Sequence, residues 1–361
     1  MLPLSRRDAL KTGAGLALTA GSLTLDRAFA AAEKPGPYAD AILKSGEPPL
    51  PESGSFTVAV LPDTQFYSNK YHASFGAQTK WLVDNKARRN IVSVLHLGDI
   101  THTNTVEEWK VAQAAMQLLD GHLPYFMVPG NHDYSERGQC VDRTTRMTEF
   151  FPVANYSKLP TFGGTYDKEP DRFENSYHTF TVGQRKFLVL ALEFGPRKDV
   201  VRWANEVAAK YANHEAILIT HAYVYYDDTR HDWKKLGDKQ KYNPHSYAMA
   251  KNSSDDVADG EELWQNLVSK HENFILTLNG HVLNDGLGRL FSATPARRNV
   301  HQVLANFQMR PNGGDGWLRL LEFRPDGKTV QVYDYSPVLA ERNESPQNQF
   351  TMTLSKISLR V

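Results

Sequence analysis

Short apolar runs alternate with amphipathic segments along most of this chain. The runs 55–61 (SFTVAVL), 91–97 (IVSVLHL), 125–128 (YFMV), 186–192 (KFLVLAL), 216–220 (AILIT) and 274–279 (FILTLN) are too short, and too rich in β-branched and aromatic residues, to be independent helices. They predict buried strands. Thr105 and Glu108 have the spacing of a capping box, and Val106, Trp109, Ala112, Met116 and Leu119 follow on one helical face. A second helix is expected from Asp199, with Val200, Trp203, Val207 and Tyr211 on one stripe. A third is expected from the capping box Asp259/Glu262, carrying Leu263, Leu267 and His271. Strands and helices in alternation predict a layered α/β domain. Beyond residue 286 the pattern changes. The runs 287–293, 300–306, 316–323 and 329–335 are strands separated by turn residues alone, and they are expected to complete the domain as an antiparallel sheet. Residues 55–361 therefore read as one domain, and 31–54, rich in Pro, Gly, Ser and Glu, as an extended arm.

Composition narrows the function classes. The 361 residues carry 41 Lys+Arg and 41 Asp+Glu, so the net charge is zero. That argues against a nucleic-acid-coating protein and a polybasic membrane binder, which need a basic excess. No uncharged apolar run reaches the roughly 18 to 20 residues of a transmembrane anchor. The single cysteine, Cys140, allows neither an intramolecular disulfide nor a Cys-rich metal site. Any metal must be held by His, Asp, Glu, Asn or Gln.

The first 30 residues read as an address. Arg6 and Arg7 precede an uncharged, glycine-rich stretch at 12–25, and Ala28-Phe29-Ala30 has the small-x-small pattern of a signal-peptidase site. This resembles a twin-arginine export signal. The resemblance implies a partner in the twin-arginine translocation machinery and a periplasmic or secreted chain. It also implies export in the folded state, for which a metal inserted beforehand is a common reason.

Candidate chemistry sits just past the strands. The first run ends in Pro62-Asp63-Thr64-Gln65, the second in Gly98-Asp99, the third in Pro129-Gly130-Asn131-His132-Asp133. The run 216–220 ends in His221 and the run 274–279 in Gly280-His281. Each residue alone reads as a turn or a satisfied core side chain. Five core strands that each deliver an oxygen or nitrogen donor at the carboxyl end, where open α/β sheets bind ligands, point to a metal site.

The set PDTQ, GDITH, PGNHD, THAY and NGHVL resembles the calcineurin-like metallophosphoesterase superfamily over about residues 56–283. The resemblance implies an α/β four-layer sandwich: two mixed β-sheets flanked by helices. It implies a metal-dependent phosphoric ester hydrolase with two divalent or trivalent ions, for which Zn, Fe or Mn suit the mixed donors. By family position Asp99 bridges the ions, Asp63 and Gln65 hold the first, and Asn131, His221 and His281 hold the second. A metal-bridging hydroxide would attack a phosphoester substrate. His132 would assist the leaving oxygen, and Asp133 would orient its imidazole. Gln65 stands where many members have His, and Leu283 where the second His of GHxH belongs, with Asn284 or Asp285 as nearby substitutes. A specialised phosphodiesterase, or a non-hydrolytic phosphate- or metal-binding protein with a decayed first site, are the alternatives.

Other positions weigh less. His96 reads as structural, His102 as a loop histidine, and Cys140 as a partly buried free thiol. The segment 222–258 holds six aromatic residues and reads either as a substrate-recognition lid or as a cover for the sheet edge. Asn175, Glu193 and Arg197 lie around another strand pair near the expected pocket.

Overall fold

Successive side chains on the buried strands face two different cores, and that alternation builds the architecture. In this computed structural model, which describes residues 38–355, fifteen strands form two sheets. In chain order the strands are β1 (Leu43–Ser45), β2 (Phe56–Leu61), β3 (Ile91–His96), β4 (Tyr125–Met127), β5 (Phe162–Thr165), β6 (Ser176–Val182), β7 (Arg185–Ala191) and β8 (Glu215–Ile219). There follow β9 (Phe274–Asn279), β10 (Leu287–Ala293), β11 (Asn299–Ala305), β12 (Leu318–Phe323), β13 (Thr329–Ser336), β14 (Glu341–Asn343) and β15 (Phe350–Thr353). One sheet has the order β1-β14-β13-β12-β2-β3-β4, with β15 on β13; the other runs β10-β11-β9-β8-β7-β6-β5.

Val58, Val60, Leu95, Phe187, Val189, Ile217 and Ile219 point into the core between the sheets. Their neighbours point outward. Ala59, Leu61 and Val94 meet Phe75 and Leu82 of the helix His72–Asn85 and Trp109, Ala112 and Met116 of the helix Val106–Met116. On the far side Leu188, Leu190 and Leu218 meet Val200, Trp203 and Val207 of the helix Lys198–Lys210 and Leu263 of the helix Gly260–Asn266. Helix, sheet, sheet and helix are the four layers the sequence predicts.

Three local expectations change. The C-terminal strands do not form one antiparallel sheet. β12, antiparallel to β2, and then β13 to β15 extend the first sheet, whereas β10 and β11 extend the second, and β11 lies parallel to β9. The third helix keeps its full capping box but stops at Asn266, short of His271, whose Nε2 instead pairs with Asn205. Glu108 makes only half of its box. Thr105 accepts the Glu108 N–H at 3.4 Å, but the Glu108 carboxylate turns to the N–H groups of His102 and Thr103, at 3.1 and 2.7 Å. The helix Val106–Met116 thereby holds the loop that follows β3. Within the expected arm, β1 pairs with β14, and Glu47 binds Arg88 and Arg89. The expected export signal lies outside the described residues. Among the described residues no helix is long and apolar enough to cross a membrane.

Candidate metal centre

β2, β3 and β4 run parallel in one sheet, and β7, β8, β9 and β11 run parallel in the other. The five marked strand ends therefore come from both sheets, and bonds within and across the sheets join them. Asp63, after β2, accepts the N–H of His281, after β9, at 2.9 and 3.1 Å. Asp99, after β3, accepts the N–H of His132, after β4, through Oδ1 at 3.0 Å. His221, after β8, lies with Nε2 3.0 Å from Asp99 Oδ1 and 3.7 Å from Asp63 Oδ1.

Glycine makes this convergence possible. A Cβ on Gly130 would meet Asp99 Oδ1 at 2.1 Å and His221 Nε2 at 2.7 Å. A Cβ on Gly280 would meet Asp63 Oδ2 at 2.3 Å. The turns are also tight. Asp99 and His281 both adopt positive φ, +49° and +74°. Such strained non-glycine backbone is characteristic of functional sites.

Each of the three histidines has one ring nitrogen tied to a backbone carbonyl. His132 Nδ1 meets His102 O at 2.8 Å, His221 Nδ1 meets Leu97 O at 2.7 Å, and His281 Nε2 meets Tyr242 O at 2.7 Å. A carbonyl can only accept, so those nitrogens carry a proton, and the opposite nitrogens are the ones that present lone pairs once the rings are neutral. Asp99, His221 and His281 place one donor atom each within 4.8 Å of the others.

The residues fit a cation. Gln65 Oε1 and Asn131 Oδ1 are buried without a hydrogen-bond partner, a costly state for polar atoms in the loops of Asp63 and His132. The polypeptide's own charges say the same. Burial, with the adjacent Asp99 charge adding to it and His221 opposing, pushes the Asp63 carboxyl up to about 7. Burial would also raise Asp99, but His221 and His132 outweigh it and hold that carboxylate below its usual range. Burial pulls His221 down, yet Asp99 and Asp63 draw it up to about 9. Two carboxylates facing each other in a dry site are a place for positive charge.

Asp133 corrects an expectation. It does not orient the His132 imidazole. Its carboxylate accepts the N–H groups of Gly130, Ile100 and Thr101 at 2.8, 3.0 and 2.7 Å and the Thr101 hydroxyl at 2.8 Å. A short side chain one position from His132 closes on the nearest backbone donors, and those belong to the loop of Asp99. Asp133 thus rivets the loops after β3 and β4 together. The imidazole is held instead by His102, whose carbonyl takes the Nδ1 proton and whose ring stacks on His132 with centroids 4.9 Å apart. From the sequence His102 reads as an ordinary loop residue; its place three positions past Asp99 is the signal that could find it.

The remaining candidates sort by contact. His96 is structural, with Nε2 at Thr64 Oγ1 and Nδ1 accepting the Gly98 N–H. Asn175, Glu193 and Arg197 bond one another, and Glu193 also pairs with Arg143 at 3.4 Å. Asp285 Oδ1 accepts the Leu287 N–H, Asn284 is exposed, and Leu283 offers no donor. Cys140 is fully buried, and burial pushes its thiol up to about 12. The segment 222–258 packs as a wall: Tyr223, Tyr225, His231 and Asn243 are buried, and Tyr242 supplies the carbonyl for His281.

Residues 56–339 match the family described as calcineurin-like phosphoesterase. The chain is 28% identical over 306 residues to the "Uncharacterized protein YvnB" of Bacillus subtilis (strain 168), a match covering 81% of this chain and 21% of that protein. The chain thus spans about a fifth of that relative's length. It is 35% identical over 66 residues to a "Probable glycerophosphodiester phosphodiesterase GpdQ" of Arcobacter nitrofigilis, covering 18% and 22% of the two chains. Among solved structures, purple acid phosphatase PPD1 of yellow lupin aligns with 85% of this chain and 55% of its own at 12% identity and a TM-score of 0.45. The family match spans most of the residues that carry the strands and every strand-end donor described above, and this chain belongs to the calcineurin-like phosphoesterase family.

Proposed function

We propose that the chain is an exported, metal-dependent phosphoesterase. The observation that supports this reading is the approach of Asp99, His221 and His281 donor atoms to one another, with Asp63 Oδ1 3.7 Å from His221 Nε2 and His132 Nδ1 tied to His102 O. When bound, a pair of metal ions supplies Lewis acidity toward the phosphoryl oxygens and an activated water. Asp63 and Gln65 would hold the first ion, Asn131, His221 and His281 the second, and Asp99 both.

The chain's own part is positioning and proton handling. His102 O keeps the proton on His132 Nδ1, so Nε2 faces the reacting group and passes a proton to the leaving oxygen from the imidazolium form. A decayed phosphate binder has no need for an imidazole held in this way, which supports hydrolysis over the binding-protein reading. Phosphodiesters are the favoured substrate class, because a relative of this chain bears the name of a phosphodiester hydrolase. Residues 1–30 would pass through the twin-arginine machinery, giving a periplasmic or secreted enzyme. Purification after native export, metal analysis and a panel of phosphodiesters and monoesters test the proposal. Metal-dependent turnover of a diester is the expected result, and metal binding without any turnover defeats it.

A further inference from the structure

A sixth strand end reaches this edge. β11 is parallel to β9, so the chain leaves both on the same side. It leaves β11 through Asn306, Phe307 and Gln308. Asn306 fastens that turn to the loop after β9: its N–H donates to Gly286 O at 2.8 Å and its amide to Val282 O at 3.3 Å. Asn306 Oδ1 accepts the Gln308 N–H at 2.9 Å. Gln308 is buried, and its Oε1 accepts from Gln65 Nε2. Gln65 Oε1, on the other side of the same amide, is buried with no partner.

An amide whose NH₂ is committed to an acceptor offers only oxygen at its other end. We propose that the first metal position is an all-oxygen site of Asp63, Asp99 and Gln65 Oε1, with Gln308 as the positioning residue that sets the amide. It takes a hard ion of the Mn²⁺ or Mg²⁺ class, while Asn131, His221 and His281 take Zn²⁺ or iron. Leu283 offers no donor, and both ring nitrogens of His96 are occupied by Thr64 and Gly98. Of the imidazoles nearby, His221 Nε2, 3.7 Å from Asp63 Oδ1, is counted with the second position, and His231 lies against His281 with ring centroids 6.3 Å apart. Oxygen sets suit Mg and Mn, whereas imidazole suits Zn and Fe. The inference rests on the metal-centre reading above.

The test uses the full chain, stripped of metal, loaded with one equivalent of Zn²⁺ and titrated with Mn²⁺. Bound metal is read by elemental analysis and the Mn²⁺ environment by pulsed electron paramagnetic resonance. Wild type should hold one Zn²⁺ and one exchangeable Mn²⁺ that shows no imidazole nitrogen coupling. Gln308→Met removes the acceptor and should weaken Mn²⁺ about 10–100-fold with Zn²⁺ retained. Gln308→Glu keeps an acceptor for the Gln65 amide and should restore tight Mn²⁺. Imidazole coupling to Mn²⁺ in wild type, unchanged Mn²⁺ affinity in a folded Gln308→Met protein, or loss of Mn²⁺ in folded Gln308→Glu overturns the proposal. A chain that binds metals as stated but hydrolyses no phosphoester defeats the proposed function and leaves this inference standing.

Discussion

His132 donates from Nδ1 to the carbonyl of His102 at 2.8 Å, and the two imidazoles stack at 4.9 Å. One residue thus fixes both the tautomer and the plane of the other, by a backbone atom and by a ring. The pair stands beside the donor cluster, not within it.

His132→Ala should therefore leave fold and metal content intact. Turnover should fall by roughly 10²–10⁴, the usual range of general acid–base assistance. The loss should shrink for substrates with very good leaving groups, such as nitrophenyl esters. Steady-state kinetics across a leaving-group series, with elemental analysis of the same preparations, checks this. Metal loss on substitution would contradict the assignment.

Gly130→Ala tests the crowding around Asp99. The added Cβ would sit 2.1 Å from Asp99 Oδ1, 2.3 Å from the Asp99 backbone nitrogen and 2.7 Å from His221 Nε2, so both residues must shift or the Gly130 loop must move away from them. A displacement of about 1 Å at a reacting centre costs on the order of 10²-fold in rate. The expected outcome is a folded protein with substoichiometric metal and activity at least about 10²-fold lower. Full metal and full activity in Gly130→Ala would mean that the donors do not converge as described.

Sequence carried the strand runs and their terminal donors because both leave local marks. A period-two apolar run and a Gly or Pro before a polar residue can be read without knowing what lies across the sheet. Partner choice cannot. Asp133 reads as the natural support for its neighbour His132, yet its acceptors face Gly130, Ile100 and Thr101 once two loops meet. Gln308 was invisible for the same reason: nothing local says that β11 pairs parallel to β9 and opens on the metal edge. The buried pair of Arg319 and Asp334, at 2.7 Å between β12 and β13, depends likewise on register.

His245 makes stability depend on pH away from the metals. Its Nδ1 lies 2.6 Å from Asp255 and its Nε2 2.8 Å from Glu262, with Trp233 stacked alongside. Burial lowers it, but the two carboxylates outweigh that and raise it to about 9. A histidine raised in the folded state stabilises fully below its unfolded value of about 6.5 and loses that contribution as pH climbs through about 9. Melting temperature should fall between pH 6.5 and 9, and His245→Gln should flatten that part of the curve. Calorimetry of both proteins decides it; parallel curves would show that the pair of contacts contributes nothing.

Asp99 offers the sharpest contrast with its neighbours. Its Oδ1 lies 3.0 Å from His221 Nε2 and also accepts the His132 N–H, so it joins the donors of β3, β4 and β8. Asp99→Asn keeps an oxygen for the His132 N–H, and the loop should stay in place. What would disappear is the negative charge that a bridging Asp99 would hold between two cations. At 4 Å two +2 ions repel by roughly 16 kcal/mol at an effective dielectric of 20. Without that charge, joint occupancy at micromolar metal should fail, and one ion per chain should remain at most. Asn131→Ala removes one neutral donor from one ion and should do less harm. The expected order in both bound metal and activity is Asp99→Asn well below Asn131→Ala. Elemental analysis with assays on a chromogenic diester and a monoester measures both. An Asp99→Asn protein that keeps two ions and turns over would sink the two-ion centre and favour chemistry at a single ion held by Asn131, His221 and His281.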